Sequence, residues 1–160
     1  MAALAAGAGS ALAVDGSEPA LALARKGAEA SGVADRFETR KGDAFDTLAA
    51  IGEEGRRFGS VICDPPAFAP AKSALEAGLR AYEKVARLAG PLVEADGFLT
   101  LCSCSQAAGL SSFRSACLRG IGRAGRQAQL IRTGFAGPDH PLLPALEESG
   151  YLKALTFRLT

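Results

Sequence analysis

The 160-residue sequence has no tryptophan, a single histidine and no C-x-x-C pair among its four cysteines. With Cys63, Cys102, Cys104 and Cys117 spaced as they are and only His140 to help, a four-ligand zinc site is not expected. The same uneven spacing gives no disulfide framework, which fits a reducing compartment, the cytoplasm. No apolar run reaches about 18 residues, so no membrane-spanning helix is expected. The apolar start, Met1 to Val14, lacks the positive charge that opens a secretory signal and is interrupted by Gly7 and Gly9. Repeats, low-complexity tracts and linkers are missing as well, so residues 1–160 read as one domain long enough to bury a core.

What is present is close to electroneutral. The formal net charge of +1 does not mark the whole chain as a nucleic-acid binder. The charge is unevenly spread, however. Between Ser111 and Pro138 lie Arg114, Arg119, Arg123, Arg126 and Arg132 with no acid among them. Such a stripe neutralises phosphates or forms a solvated helix face, and both readings stay open.

Strand and helix patterns alternate along the chain. A helix tail at 2–7 is followed by a strand at Ser10–Asp15 and a helix capped by Ser17 that stops before Gly32. Further strands are expected at 36–41, 59–64, 97–104, 127–133 and 151–159, with helices at 43–54, 72–95 and 107–123. The stretch 138–149 is the longest irregular one. Repeated strand–helix units give an α/β fold with a mainly parallel sheet.

Three acids fall at successive strand ends: Asp15 in Ala13-Val14-Asp15-Gly16-Ser17, Asp43 in Gly42-Asp43-Ala44-Phe45, and Asp64 in Asp64-Pro65-Pro66-Ala67-Phe68. In nucleotide-binding α/β folds, acids at strand tips accept hydrogen bonds from ribose hydroxyls or an adenine amino group. The same residues also serve as plain turn and cap acids. A fourth strand ends at Ser103-Cys104-Ser105. An acid locked by two prolines and a thiol flanked by serines, at one end of a parallel sheet, suit covalent chemistry on a planar, electron-poor ring. The plainer reading of Cys104 is a small buried strand residue, and Cys102 is read as core.

Together these segments resemble the class I S-adenosylmethionine-dependent methyltransferases, and within them the bacterial 23S ribosomal RNA cytosine-C5 methyltransferases. Lys72 after the Asp-Pro-Pro segment, Asp139-His140-Pro141 and Gly150-Tyr151-Leu152-Lys153 look like parts of that group as well. The resemblance implies a Rossmann-like sheet, mostly parallel with an antiparallel closing strand. It implies S-adenosyl-L-methionine as cofactor, contacted by Asp15, Gly16, Ser17, Asp43, Ala44, Asp64 and Pro65. Ribosomal RNA would meet Pro66, Phe68, Lys72, Ser103, His140, Arg114 and Arg119. Cys104 would add as thiolate to carbon 6 of cytosine, with Asp64 assisting at ring nitrogen 3.

The family pattern opens with a strand and glycine-rich loop ahead of the point where this sequence starts, and with a small RNA-binding domain before that. Ala6-Gly7-Ala8-Gly9 follows a helix rather than a strand and does not replace that loop. The sequence therefore reads as a partial catalytic domain, 1–160, N-terminally truncated, which by itself is expected to be inactive and whose partner is the missing segment. Two other readings stand beside it: a guanine-directed ribosomal RNA methyltransferase that needs no sulfur nucleophile, and a non-catalytic fragment with weak RNA contact through its arginines.

Overall fold

Capping residues set where the elements begin and end. The computed structural model describes residues 1–143 and 145–160, with Glu147 and Glu148 described by their backbone alone; Pro144, inside the stretch expected to be irregular, lies outside the described residues. Helix α1 spans Ala2–Ala5 and β1 Ala11–Asp15. Helix α2 (Glu18–Ala30) starts at Ser17, whose hydroxyl accepts from the Ala20 amide at 3.4 Å, and it stops before Gly32, which adopts φ +65°. Strand β2 (Phe37–Lys41) lies parallel to β1, with Asp15 opposite Lys41. Helix α3 runs from Ala44 to Glu53.

Strand β3 (Phe58–Cys63) and helix α4 (Leu75–Ala89) follow. The helix expected over 72–95 is shorter at both ends. A single 3-10 turn covers Lys72–Ala74, and another, Gly90–Leu92, carries Pro91, which bars continuation of the α-helix. Strand β4 thus begins at Val93 and runs to Ser103. The guanidinium of Arg126 donates to the carbonyls of Gly90 and Val93 (3.1 and 2.6 Å), supplying partners that the helix end cannot. Helix α5 (Leu110–Arg123), β5 (Ala128–Gly134) and β6 (Lys153–Leu159) complete the chain.

Two compact units emerge, Met1–Thr47 and Leu48–Thr160. The first holds the β1–β2 parallel pair and a small core of Leu4, Ala28 and Val33, against which Ala8, Ala11 and Phe37 pack. The second holds a four-stranded sheet in the order β3-β4-β6-β5. There β3 and β4 are parallel, while β6 runs antiparallel to β4 and to β5. The expected antiparallel closing strand is β6, which lies between β4 and β5. Hydrogen bonding divides the strands into two sheets, β1-β2 and β3-β4-β6-β5.

Period-two alternation positions the second unit's core. Leu99, Leu101 and Ser103 of β4 and Leu155, Phe157 and Leu159 of β6 are fully buried or nearly so. So are Tyr82, Val85 and Ala86 of α4 and Phe113, Ala116, Cys117 and Ile121 of α5. Alternate residues, Thr100 and Cys102 among them, are half-exposed. Among the described residues no helix is long and apolar enough to cross a membrane, and no group of three or more His, Cys, Asp or Glu can hold a metal ion.

Candidate active site

The parallel pair β3–β4 delivers two chemical groups to its carboxyl end. The ladder closes at Cys63 opposite Leu101. Asp64 follows, and Pro65 and Pro66, without N–H donors, end the pairing there. Cys104 leaves β4 at the same end, half-buried, with Sγ 4.0 Å from the Pro65 carbonyl oxygen. Asp64 and Pro66 are exposed, and Phe68 is half-buried.

A buried polar cluster fixes this end. The Ser103 hydroxyl donates to the Tyr82 hydroxyl at 2.8 Å and accepts from the Ser105 amide at 3.2 Å. The Tyr82 and Ser105 hydroxyls are hydrogen-bonded at 2.8 Å. Ser105 Oγ also accepts from the Ala69 amide at 2.9 Å, which ties the proline loop to the end of β4. Lys153 of β6 donates from Nζ to the Ser105 carbonyl at 2.8 Å. The Tyr82 ring meets Phe68 and Phe113 edge-on, with centroids 5.0 and 4.9 Å away. Gly78 lets α4 come this close, since a Cβ there would stand 2.7 Å from both the Ala69 Cβ and the Phe68 carbonyl oxygen. Cys104 thus sits in a backbone segment held on both sides.

Burial governs the ionisation of three thiols. Burial, with help from Cys102, pushes Cys63 up to about 12. Burial and the nearby Asp64 charge raise Cys102 to about 11, and burial raises Cys117 further still. These three stay protonated, hence weakly nucleophilic, at neutral pH.

In the first unit, Asp15 is exposed as the last residue of β1 and Asp43 is exposed just past the carboxyl end of β2. Asp15 Oδ1 accepts from the Ser17 amide at 2.7 Å, and Asp43 Oδ1 accepts from the Phe45 and Asp46 amides at 2.8 and 3.3 Å. Both acids therefore do the turn and cap work that the sequence allowed. Their Oδ2 atoms make no hydrogen bond among the described residues, so each keeps an acceptor suited to a ribose hydroxyl or an amino group. That chemistry fits the adenosine end of S-adenosylmethionine. Gly16, Ser17 and Ala44 are exposed beside them.

Several expected substrate contacts lie elsewhere than supposed. Ser103 is fully buried with its hydroxyl bonded to Tyr82, so it supports the site from behind. Cys102, expected in the core, is half-exposed because it falls on the opposite face of β4 from Leu101 and Ser103. Arg119 donates from Nε to the nearly buried Glu83 at 2.9 Å, and Arg123 pairs with the same carboxylate. With Arg126 bonded to backbone carbonyls, three of the five stripe arginines tie the fold together; Arg114 and Arg132 are exposed. Lys72 and His140 are exposed, the latter in a turn closed by its amide on the Gly137 carbonyl at 2.9 Å. Tyr82, Ser105 and Lys153 had no place in the expected site. Lys153 did leave a trace, a lysine at the same strand parity as Leu155, Phe157 and Leu159.

Comparison with known proteins follows the same lines. A Methanocaldococcus jannaschii protein assigned as a ribosomal RNA large subunit methyltransferase is 37% identical over 143 residues, covering 89% of this chain and 36% of the relative. Ribosomal RNA large subunit methyltransferase I of Aeromonas salmonicida is 35% identical over 147 residues, covering 91% and 37%. The crystal structure of SMU.776, assigned as a methyltransferase and complexed with SAH, superposes with a TM-score of 0.82 at 22% identity, over 98% of this chain and 41% of that one. The fold is the Rossmann-like methyltransferase fold. No protein-family model matches the chain. The chain spans a little more than a third of the length of the relatives it matches.

Proposed function

We propose that this chain carries catalytic residues of an S-adenosylmethionine-dependent methyltransferase that acts on carbon 5 of a cytosine in large-subunit (23S) ribosomal RNA, in the cytoplasm. The observation that carries the reading is Cys104. It stands half-exposed at the end of β4, next to the Asp64-Pro65-Pro66 exit of β3, while burial holds the other three thiols neutral. The similarity to ribosomal RNA large subunit methyltransferases supports the substrate class.

Asp15 and Asp43 would hold the adenosine portion of the cofactor through their free carboxylate oxygens, with Gly16, Ser17 and Ala44 alongside. When bound, S-adenosylmethionine supplies an electrophilic methyl group. Carbon 5 of cytosine is a poor nucleophile on its own. The Cys104 thiolate adds to carbon 6, forming a C–S bond and pushing an electron pair toward carbon 5. The Asp64 carboxyl would give a proton to ring nitrogen 3, where the charge of the addition collects, and take it back when the C–S bond breaks. Once carbon 5 is methylated, a base removes its proton, the C–S bond breaks and Cys104 leaves as thiolate. Pro66, Phe68, Lys72, Arg114 and His140 line the RNA side of this chemistry.

The test is covalent trapping. Ribosomal RNA containing 5-fluorocytosine, mixed with the intact enzyme that carries this chain and with cofactor, should give a gel-stable adduct, because fluorine replaces the proton that must depart. Cys104→Ala should lose the adduct and Cys102→Ala should keep it. An adduct that survives in Cys104→Ala would overturn the assignment, and methylated guanine without any adduct would favour a guanine-directed enzyme.

A further inference from the structure

We infer that Lys153 is the counter-charge of Cys104, a buried ammonium that keeps the nucleophile in its thiolate form; the inference rests on Cys104 being that nucleophile. Lys153 pairs with Ser103 across the antiparallel β4–β6 ladder, and like its neighbours Leu155, Phe157 and Leu159 it points to the buried side, 7% exposed. Its Nζ passes the end of β4 and donates to the carbonyl of Ser105, the residue after Cys104.

An ammonium has three donors and a full charge. Among the described residues this one has a single hydrogen-bond acceptor and no carboxylate partner. Burying a cation without an anion is costly, so its retention among neutral buried groups calls for an anion that forms there. The neighbouring hydroxyls of Tyr82, Ser103 and Ser105 are neutral and bonded to one another. Asp64 is exposed, and its charge acts on Cys102. Cys104 directly precedes the residue whose carbonyl Lys153 holds, and a negative charge formed on it opposes the desolvation that lowers the lysine's own proton affinity. A nearby ammonium favours a thiolate over a thiol. It would do so twice in one turnover, before addition to carbon 6 and again when the C–S bond breaks.

Alkylation by iodoacetamide, read for Cys104 separately by peptide mass spectrometry, isolates this step from RNA and cofactor. Among the described residues, the titratable groups around the site are Asp64 beyond β3, Cys63 on β3, Cys102 on β4, Tyr82 on α4, Cys117 on α5 and Lys153 itself. The full chain, Lys153→Met and Lys153→Arg are compared from about pH 6 to pH 10, a range spanning ordinary thiol titration. Lys153→Met should slow Cys104 alkylation about tenfold near neutral pH and move its profile about one unit upward. Lys153→Arg should restore most of the rate. Urea unfolding of Lys153→Met should show no loss of stability, because methionine keeps the stem and removes an unpaired charge. A Cys104 profile unchanged in Lys153→Met would overturn the inference, as would a rate loss that follows unfolding and is not rescued by arginine. Neither result depends on the RNA adduct, so a failed trapping experiment and a failed alkylation experiment point to different errors.

Discussion

The two acids of the first unit and the polar cluster of the second are built from the same kinds of group but from very different sequence distances. Asp15 bonds a backbone amide two residues on, and Asp43 bonds amides two and three residues on. In the second unit Ser105 is tied to Ala69, Tyr82 and Lys153, which are 36, 23 and 48 residues away. The local sites are exposed and keep their shape for as long as one turn survives. The distant one is buried and exists only when α4, β4, β6 and the proline loop have come together. Damage to it should therefore spread through the fold, while damage to the acids should stay where it is made.

Tyr82 gives that contrast its largest expected effect. Tyr82→Ala removes the edge-on partner of Phe68 and Phe113 and the hydroxyl that links Ser103 to Ser105, and should cost about 3–5 kcal/mol in urea unfolding. Tyr82→Phe keeps the ring but leaves buried serine hydroxyls short of a partner, at about 1–3 kcal/mol. A neutral Tyr82→Phe would mean that the cluster is not coupled through that hydroxyl.

Alkaline pH gives the next effect, also confined to the second unit. Above the ordinary thiol value of 9.0 the unfolded chain gives up thiol protons that the folded chain retains at Cys63, Cys117 and, to a lesser degree, half-exposed Cys102. Stability therefore falls as pH rises past that point. Lys153 works in the opposite direction. Held below its ordinary 10.5 in the fold, it adds stability as pH rises toward that value. Several thiols outweigh one ammonium, so the net loss should be about 1.4–2.7 kcal/mol per pH unit. Cys63→Ala should flatten the decline measured by denaturation at stepped pH, and an unchanged slope would show that this thiol is not the source.

The same contrast explains what could be read in advance. Ser17 as cap, Gly32 as stop, and Asp15 and Asp43 at strand ends all act through neighbours in sequence, and each was legible from its own short segment. Ser103-Cys104-Ser105 was legible as a strand end, but not which serine faced where. That depends on Tyr82, whose partners lie 21 and 23 residues away. The arginine stripe misled for a related reason. No acid lies near Arg119 or Arg123 in sequence, yet Glu83 of α4 meets both of them. The helix that ended early did so at Gly90-Pro91, where an apolar pattern continued into β4 and hid the break.

The smallest effect belongs to Asp43, and it decides whether a local site is more than local. Asp43→Ala removes both hydrogen bonds to the first turn of α3 and should cost about 0.5–2 kcal/mol in unfolding. Asp43→Asn keeps an oxygen in the capping position, and asparagine caps helices about as well as aspartate, so stability should change by at most a few tenths of a kcal/mol. The charge is lost in both. A charge-assisted hydrogen bond is worth about 1.5–3 kcal/mol, so if Oδ2 receives the cofactor's adenine end, both variants, made in the intact enzyme that carries this chain, should bind S-adenosylmethionine about tenfold more weakly or worse by calorimetry. The asparagine variant then separates the two roles within one side chain, stable as the parent but poor at binding. If Asp43→Asn binds as the parent does, Asp43 is a helix cap alone, and the first unit's part in holding the cofactor rests on Asp15.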